Sequence, residues 1–279
     1  MRWTTNPLLP HCGKEHKIAV RNWLDLPDDL TFKIISRLDT FQILTGAQQV
    51  CLQWRSICMD PLMWRTINMS NIGIDGSVDC LTLEKMCFRA IDRSCGLLED
   101  IRASPLECFL DINIGDALSI DTFGSNDLLE YIIASKCKLR CLRLILCIDI
   151  TDEELCELAQ KLPLLEELEI TICRSIYSSS VAIEAIGRGC PLLKSFKFNH
   201  NRGGGNEEAF AIAQNMPNLR HLQLVHNNLD NNGVSAILDG CPLLESLDLT
   251  WYSNVKLEGE LRRRCDQQLK DFIKPLDTP

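Results

Sequence analysis

Apolar and polar residues alternate in short stretches that return at a nearly constant interval along the second half of the chain. In PLLEELEI, residues 163–170, Leu168 and Ile170 alternate with glutamates, which predicts a strand with one buried face. Related stretches are PLLKSFKF, PNLRHLQL and PLLESLDL, and CKLRCLRL precedes them as a looser copy. Their equivalent leucines are spaced by 26, 28, 26 and 25 residues: Leu139, Leu165, Leu193, Leu219 and Leu244. A period of this size predicts a solenoid of stacked repeats.

The segments between these strands carry a helical pattern. ITDEELCELAQKL offers Thr151 as N-cap and an acidic first turn, followed by one apolar face: Leu155, Leu158, Ala159 and Leu162. The next two segments predict helices with apolar residues at Phe210 and Ala213, and then at Val234, Ile237 and Leu238. Each helix ends before a proline, as the restricted residue ahead of proline favours. We therefore predict an α/β fold, a curved parallel sheet with helices on its convex side.

The repeats resemble a known class. The pattern LxxLxLxxC, followed by ITDEEL and later by Cys-Pro, resembles the cysteine-containing class of leucine-rich repeats. The position three residues past each strand is small or polar in four copies and differs in the fifth, which indicates that the array ends there: Cys147, Cys173, Asn201, Asn227 and then Tyr252.

Two parts of the array are less regular. The 41 residues from Leu98 to Leu139 are too many for one repeat and few for two, so either a loop or an extra strand interrupts the array. The segment LEGELRRRCDQQLKDFI is predicted to be the helix of the last repeat and the closing cap. We expect about five or six repeats.

Residues 22–65 show a different pattern. Apolar residues at a spacing of four, with Pro27 in the first turn, predict a helix: Leu26, Leu30, Ile34 and Leu38. The stretch AQQVCLQWRSIC places Val50, Trp54 and Ile57 on one helical face. A unit of about 45 residues buries little surface alone. It either packs on the neighbouring domain or keeps an apolar face for a partner.

This unit resembles the F-box. The motif residues are Leu26-Pro27-Asp28-Asp29-Leu30, Val50-Cys51-Leu52-Gln53-Trp54-Arg55 and a late Trp64. With the short repeats, the chain is similar to plant F-box/leucine-rich-repeat proteins over residues 22–275. The resemblance implies a flexible tail at 1–20, an F-box domain at 21–69, a linker and capping helix at 70–96, and a leucine-rich-repeat domain at 97–279 with a C-terminal capping helix. Trp54 and Trp64 are equally compatible with core and with partner contact.

The resemblance also implies a function without covalent chemistry. The F-box would dock on the Skp-type adaptor of a cullin-based (SCF-type) E3 ubiquitin ligase, and the repeats would hold a target protein for ubiquitination and proteasomal degradation. By match to the motif, the adaptor-binding residues are Leu26, Pro27, Leu30, Ile34, Leu38, Val50 and Trp54. The target-binding candidates are outward positions of the strands: Arg143, Glu169, Lys197, Gln223 and Asp248. A second outward row is expected at Ile145, Thr171, Asn199, Val225 and Thr250. The alternative is a repeat scaffold, unrelated to ubiquitin, whose helical unit only caps the solenoid.

Composition narrows the function further. The net charge of −9 and the pI near 5.1 argue against a nucleic-acid or anionic-membrane binder, because both need a basic face. The 15 cysteines are odd in number and follow the repeat, and neither a secretory signal nor a membrane-length apolar run is evident. We expect reduced thiols and a location in the cytoplasm or nucleus.

Candidate chemical sites are weak. Cys137, Cys141 and Cys147 lack the paired short spacings of a zinc site, and the glycines at 203–205 lack the Lys-Ser/Thr ending of a phosphate loop. We expect no metal and no cofactor. A hydrolase would require a reactive thiol beside a histidine, and the sequence offers no support for that pairing.

Overall fold

A computed structural model describes residues 25–69, 79–103, 125–145, 150–171, 179–199, 205–225, 228–249 and 254–273. The predicted tail at 1–20 lies outside these residues, as do the five turn positions of the repeats: Cys147, Cys173, Asn201, Asn227 and Tyr252.

The N-terminal unit consists of short helices. They are α1 (Asp28–Ile35), α2 (Thr40–Gln42), α3 (Gln48–Val50) and α4 (Leu52–Ile57), with a π-helical turn at Ile43–Ala47 and a 3-10 turn at Pro61–Trp64. Helix α1 begins after Pro27, which suits the first helical turn, and Asp28 and Asp29 favour its positive end. The predicted helix was too long, since Leu26 and Leu38 lie outside α1.

The repeats build one sheet in which every strand is parallel to the next. In chain order the strands are β1 (Thr66–Asn68), β2 (Asp100–Ala103), β3 (Cys141–Ile145), β4 (Glu167–Thr171), β5 (Ser195–Asn199), β6 (His221–Val225), β7 (Ser246–Asp248) and β8 (Asp271–Ile273). The repeat leucines are in register, so that Leu142, Leu168, Phe196, Leu222 and Leu247 form one buried row.

A helix lies between each pair of strands. These helices are α5 (Cys80–Arg93), α6 (Asn126–Ala134), α7 (Asp152–Lys161), α8 (Ser179–Gly189), α9 (Asn206–Asn215), α10 (Asn231–Gly240) and α11 (Gly259–Gln268). Neighbouring helices pack on one another from α5 to α11. Helices need about 8–10 Å between axes, whereas strands need about 4.8 Å. The helix layer is therefore the longer, convex side, and the other face of the sheet is concave. This confirms the predicted fold class.

The apolar face of α9 was predicted wrongly. Phe210 is exposed, and Ala209, Ala211 and Ile212 are the apolar residues of this helix that face the core. Because successive side chains of a helix point in different directions, Phe210 faces outward although its neighbour Ala209 is buried. The predicted apolar faces of α7 and α10 are buried as expected.

The array is longer than predicted, and the sheet is continuous. Strands β1 and β8 were missed, and the predicted closing cap is a helix, α11, followed by β8. Strand β2 pairs directly with β3, so no strand enters the sheet between them, and helix α6 lies between these two strands in the sequence. Residues 104–124 lie outside the described residues. Helix α5, expected to cover an open sheet edge, instead connects β1 to β2 and packs beside α6 in the helix layer.

Candidate functional site

The first candidate surface is formed by α1 and the segment around α4, which contact each other. The Gln53 side chain donates a hydrogen bond to an Asp28 carboxylate oxygen at 2.7 Å across this contact. Val50 and Trp54, predicted on one helix, belong to two, because Cys51 is extended and breaks the chain of helical residues. The Cys51 thiol caps α4 by accepting a hydrogen bond from the Trp54 backbone N–H at 3.4 Å.

The seven predicted adaptor-binding residues divide into two groups. Pro27 is exposed, and Leu30, Ile34 and Val50 expose 43%, 39% and 61% of their surface. Leu26, Leu38 and Trp54 are half-buried, and the last two pack against the core. The Trp54 indole nitrogen is buried with no hydrogen-bond partner in the described part of the chain. The accessible apolar surface therefore centres on Leu30, Ile34 and Val50.

Three further apolar residues of the N-terminal unit are exposed and were not predicted. Leu52 is 83% exposed, and Met59 and Leu62 are about half exposed. Lone exposed apolar residues are ordinary, but six in one unit of about 45 residues are candidates for an interaction surface. We call the set Leu30, Ile34, Val50, Leu52, Met59 and Leu62 the helical-unit surface. Apolar residues are spread evenly around Val50 and Leu52 in the sequence, so the pattern does not show which of these side chains face outward.

The opposite side of the helical unit is joined to the repeats. Trp64 is fully buried, and its indole N–H donates to the Cys58 carbonyl oxygen at 2.9 Å. The Arg93 guanidinium of α5 lies 5.2 Å from the centre of the Trp64 ring and donates to the Gln48 side chain at 3.1 Å. The Asn68 backbone N–H of β1 donates to the Thr40 hydroxyl at 3.0 Å, so the unit also covers the edge of the sheet.

The second candidate surface is the concave face of the sheet. The five predicted target-binding residues, Arg143, Glu169, Lys197, Gln223 and Asp248, lie in one row because their strands are in register. The same row includes Arg102 and Ile273, which were not predicted. In the second predicted row, Thr171 and Asn199 are buried instead of exposed, and Thr250 lies outside the described residues. The last two residues of β4 and of β5 are both buried, so the alternation of exposed and buried residues ends there.

Ion pairs organise the first row. Glu169 lies 2.7 Å from the Lys197 ammonium and 3.9 Å from the Arg143 guanidinium, which also lies 3.4 Å from Glu167. In β2, Arg102 lies 3.1 Å from Asp100. These charges hold one another in place across adjacent strands.

A ladder of charges precedes the strands, and sequence reading missed it. The residue before each of the eight strands is charged: Arg65, Glu99, Arg140, Glu166, Lys194, Arg220, Glu245 and Lys270. Glu166 accepts hydrogen bonds from Lys194 at 2.6 Å and from Arg140 Nε at 2.8 Å, and these two bonds lower the pKa of Glu166. Hydrogen bonds from Lys270 and Arg220 lower the pKa of Glu245 in the same way. The signal in the sequence that could have predicted this ladder is one charged residue per repeat at a fixed position.

A shallow groove of about 300 Å³ runs over β3 to β8 on the concave face. The short side chains of Ser195 and Ser246 are among the residues that line it, and Ile273 lies at its far end. We call it the concave groove.

Four of the described thiols are poor nucleophiles. Burial raises the pKa of Cys87 and of Cys241 to about 12 and that of Cys190 to about 11. On the concave face, burial and then the Asp100 carboxylate raise the pKa of Cys141 to about 12. Only a thiolate attacks efficiently, so these thiols are unreactive near neutral pH.

No group of three or more His, Cys, Asp or Glu side chains is placed to hold a metal ion among the described residues. None of the helices that the structure describes has the length and apolar character required to cross a bilayer.

The chain is similar to known proteins over most of its length. A family model described as F-box-like matches residues 23–70. F-box/LRR-repeat protein 23 of Arabidopsis thaliana is 41% identical over 276 residues, which are 97% of this chain and 56% of that protein. F-box protein SKIP19 of Arabidopsis thaliana is 43% identical over 258 residues, covering 92% of this chain and 78% of the relative. A crystal structure of a Bacteroides fragilis protein superposes with a TM-score of 0.44 at 14% identity, over 91% of this chain and 73% of the other.

Proposed function

Because the chain belongs to the F-box/leucine-rich-repeat protein family, we propose that it is the target-recognition subunit of an SCF-type E3 ubiquitin ligase in the cytoplasm or nucleus. The helical-unit surface docks on a Skp-type adaptor, which connects the chain to a cullin scaffold. The concave face holds a target protein, which other subunits then ubiquitinate. The chain itself contributes binding and placement, and no covalent step.

One observation carries this proposal. The helical unit buries one apolar side against the repeats, with Ile35, Ile43 and Trp64 inside the core, and leaves a second apolar side exposed. A unit that only capped the solenoid needs the first side alone. Exposed leucines, isoleucine and valine in one small unit cost solubility, and a partner that covers them explains their presence.

The scaffold alternative is supported in one respect. The hydrogen bond between Thr40 and the Asn68 backbone places the helical unit on the edge of β1, so this unit does cap the sheet. Capping and docking use different residues of the unit and are compatible with each other. The two proposals differ only in whether the exposed side has a partner.

Substitution of Leu30 tests the proposal directly. We expect Leu30→Glu to weaken capture by the adaptor by about 2 kcal/mol or more, or roughly 30-fold, because truncating an apolar interface anchor costs this much even without a buried charge. Leu192→Glu is the matched control, since Leu192 is 46% exposed on the repeats. Pull-down with purified adaptor, with circular dichroism of both variants, gives the measurement.

Three results would argue against the proposal. Equal capture of Leu30→Glu and wild type would remove the helical-unit surface from the interface. Equal losses in both variants would indicate a general effect of the new charge. Folded wild-type chain that never captures the adaptor would favour the scaffold.

A further inference from the structure

An apolar pocket lies between the C-terminal ends of helices α6 and α7. Its volume is about 510 Å³, and it is lined by the last residues of these two helices and by the segments that follow them. Its accessible apolar side chains include that of Leu164, which is 44% exposed, and those of Ile133, Ala134 and Pro163. The pocket shares no lining residue with the concave groove. A ligand of this pocket and a target on the concave face would therefore contact different residues.

Positive charge surrounds this pocket, although the whole chain carries a net charge of −9. Lys136 and Lys161 line it, and Lys138 lies between two further lining residues, Cys137 and Leu139. All three lysines are exposed, and no carboxylate of the described residues pairs with any of them. Other lysines of the repeats are held by carboxylates: Lys194, Lys197 and Lys270. The complementary ligand of the pocket is therefore both apolar and acidic.

The pocket continues the helical-unit surface along one edge of the sheet. Each residue that precedes a strand donates its backbone N–H to the carbonyl oxygen of the equivalent residue in the previous repeat, at 2.8 Å for Glu99, Arg140 and Glu166. The residues two positions earlier therefore lie side by side: Leu97, Lys138 and Leu164. Leu62 of the helical-unit surface precedes Arg65 by three residues and begins this edge.

One partner can span the distance between the two places. The turn at Pro61–Trp64, which carries Leu62, contacts α5, and α5, α6 and α7 follow one another in the helix layer. Two interhelical distances amount to roughly 20 Å. An interface of standard size buries about 800 Å² on each partner, which corresponds to a patch roughly 30 Å across. A protein that docks on the helical-unit surface therefore reaches the pocket.

We propose that the pocket between α6 and α7 is a second docking point for the Skp-type adaptor, filled by a large apolar side chain from an acidic segment of that protein. The apolar side chain packs against Leu164 and Ile133, and the flanking carboxylates face the three lysines. This inference rests on the proposed function, since it uses the adaptor that the helical-unit surface binds. Two docking points fix the orientation of the repeats on the adaptor, and thereby the position in which a target on the concave face is presented.

The affinity for purified adaptor tests the apolar part of the inference. The full chain is titrated with fluorescently labelled Skp-type adaptor, and the dissociation constant is measured by anisotropy. Leu164→Ser should weaken binding about fivefold, because an apolar anchor loses its contact. Leu243→Ser is the matched control, since Leu243 is 47% exposed, also follows a proline and lies three repeats farther along. This control should bind the adaptor like wild type.

Charge variants test the acidic part. The double variant Lys136→Glu, Lys161→Glu should bind the adaptor about tenfold more weakly, and this deficit should shrink with added salt. Lys256→Glu is the control, because Lys256 is exposed between α10 and α11, far from the pocket. Circular dichroism verifies that each variant is folded.

Lys136 also allows a substitution that separates binding from folding. Its φ of 49° lies in the left-handed region, which glycine adopts without strain. Lys136→Gly should therefore raise the urea midpoint of unfolding while it weakens adaptor binding about twofold. A lysine that serves only the end of α6 cannot produce this combination.

The outcomes separate this inference from the proposed function. Adaptor binding that is unchanged in Leu164→Ser or in the double lysine variant would overturn the inference, as would equal losses in Leu164→Ser and Leu243→Ser. Leu30→Glu is measured beside them, and a loss in that variant alone keeps the ligase proposal and removes the second docking point. A wild-type chain that does not bind the adaptor removes both. A wild-type dimer that Leu164→Ser dissociates, seen by sedimentation, would assign the pocket to a second copy of the chain and also overturn the inference.

Discussion

The helices of the convex layer approach so closely that glycine is required at their contacts. A β-carbon at Gly240, the last residue of α10, would lie 2.2 Å from the Ala213 carbonyl oxygen and 2.5 Å from the Ala213 Cα. A β-carbon at Gly189, at the end of α8, would lie 2.2 Å from the Ala159 carbonyl oxygen. Both obstacles are backbone atoms, so no side-chain rotation relieves the clash.

Gly240→Ala is therefore expected to destabilise the protein. Restoring an ordinary contact requires α10 to move from α9 by about 1 Å, and overpacking of this kind costs about 1–3 kcal/mol. Alanine is favoured over glycine in a helix by about 0.5–1 kcal/mol. With the middle of each range, the net loss in the free energy of unfolding should be about 1 kcal/mol.

Gly46→Ala is the matched control with the opposite sign. Gly46 lies in the π-helical turn at Ile43–Ala47, and a β-carbon there would meet no atom within 4 Å. Only the backbone preference remains, so Gly46→Ala should stabilise by about 0.5–1 kcal/mol. Urea unfolding followed by far-UV circular dichroism measures both changes. A Gly240→Ala variant as stable as wild type would refute the close approach of α9 and α10.

Two further substitutions test local features. Cys51→Ser should stabilise the chain and Cys51→Ala should destabilise it, each by about 0.5–1 kcal/mol, because a hydroxyl accepts the Trp54 backbone hydrogen bond better than a thiol; equal stabilities in urea would remove the capping role. The pKa values of Glu166 and Glu245 are lowered in the folded protein. The stability that these two carboxylates contribute is therefore fully present above the unfolded pKa near 4.3, and it is lost as pH falls through the lower folded pKa values. Replacing both glutamates by glutamine should flatten the acid limb of stability between about pH 5 and pH 3, and an unchanged slope would show that the ladder contributes nothing.

The repeats could be predicted because one physical demand recurs. Each strand must bury the apolar residue equivalent to Leu168 against a helix, so the same apolar spacing occurs in every repeat. Strand β8 could also have been predicted from the sequence, because Leu269 follows Leu244 by 25 residues and lies three residues before Phe272. It was missed because the basic and polar residues of α11 obscured the short apolar pattern. Pairing of β2 with β3 could not be predicted, because residue count alone does not decide whether an insertion enters the sheet.

The helical unit was harder to predict than the repeats. Residues at a spacing of four indicate one face of a helix only while the helix continues, and α1 ends at Ile35 before Leu38 is reached. Cys51 ends α3 and begins α4 with no glycine or proline to mark the break. Which apolar residues of the unit are exposed depends on where it packs, and that is set by β1 and α5, which lie outside the unit.

Trp64 explains why the two units have no simple boundary. Trp64, Ile67 and Met69 have the same spacing as Leu165, Leu168 and Ile170, and all three are buried. The late tryptophan of the F-box pattern is thus also the first apolar position of the repeat series. Through Cys58 and Arg93, its ring contacts the helical unit on one side and α5 on the other. A side chain shared in this way cannot be optimised for one unit alone, which ties the orientation of the helical-unit surface to that of the concave face.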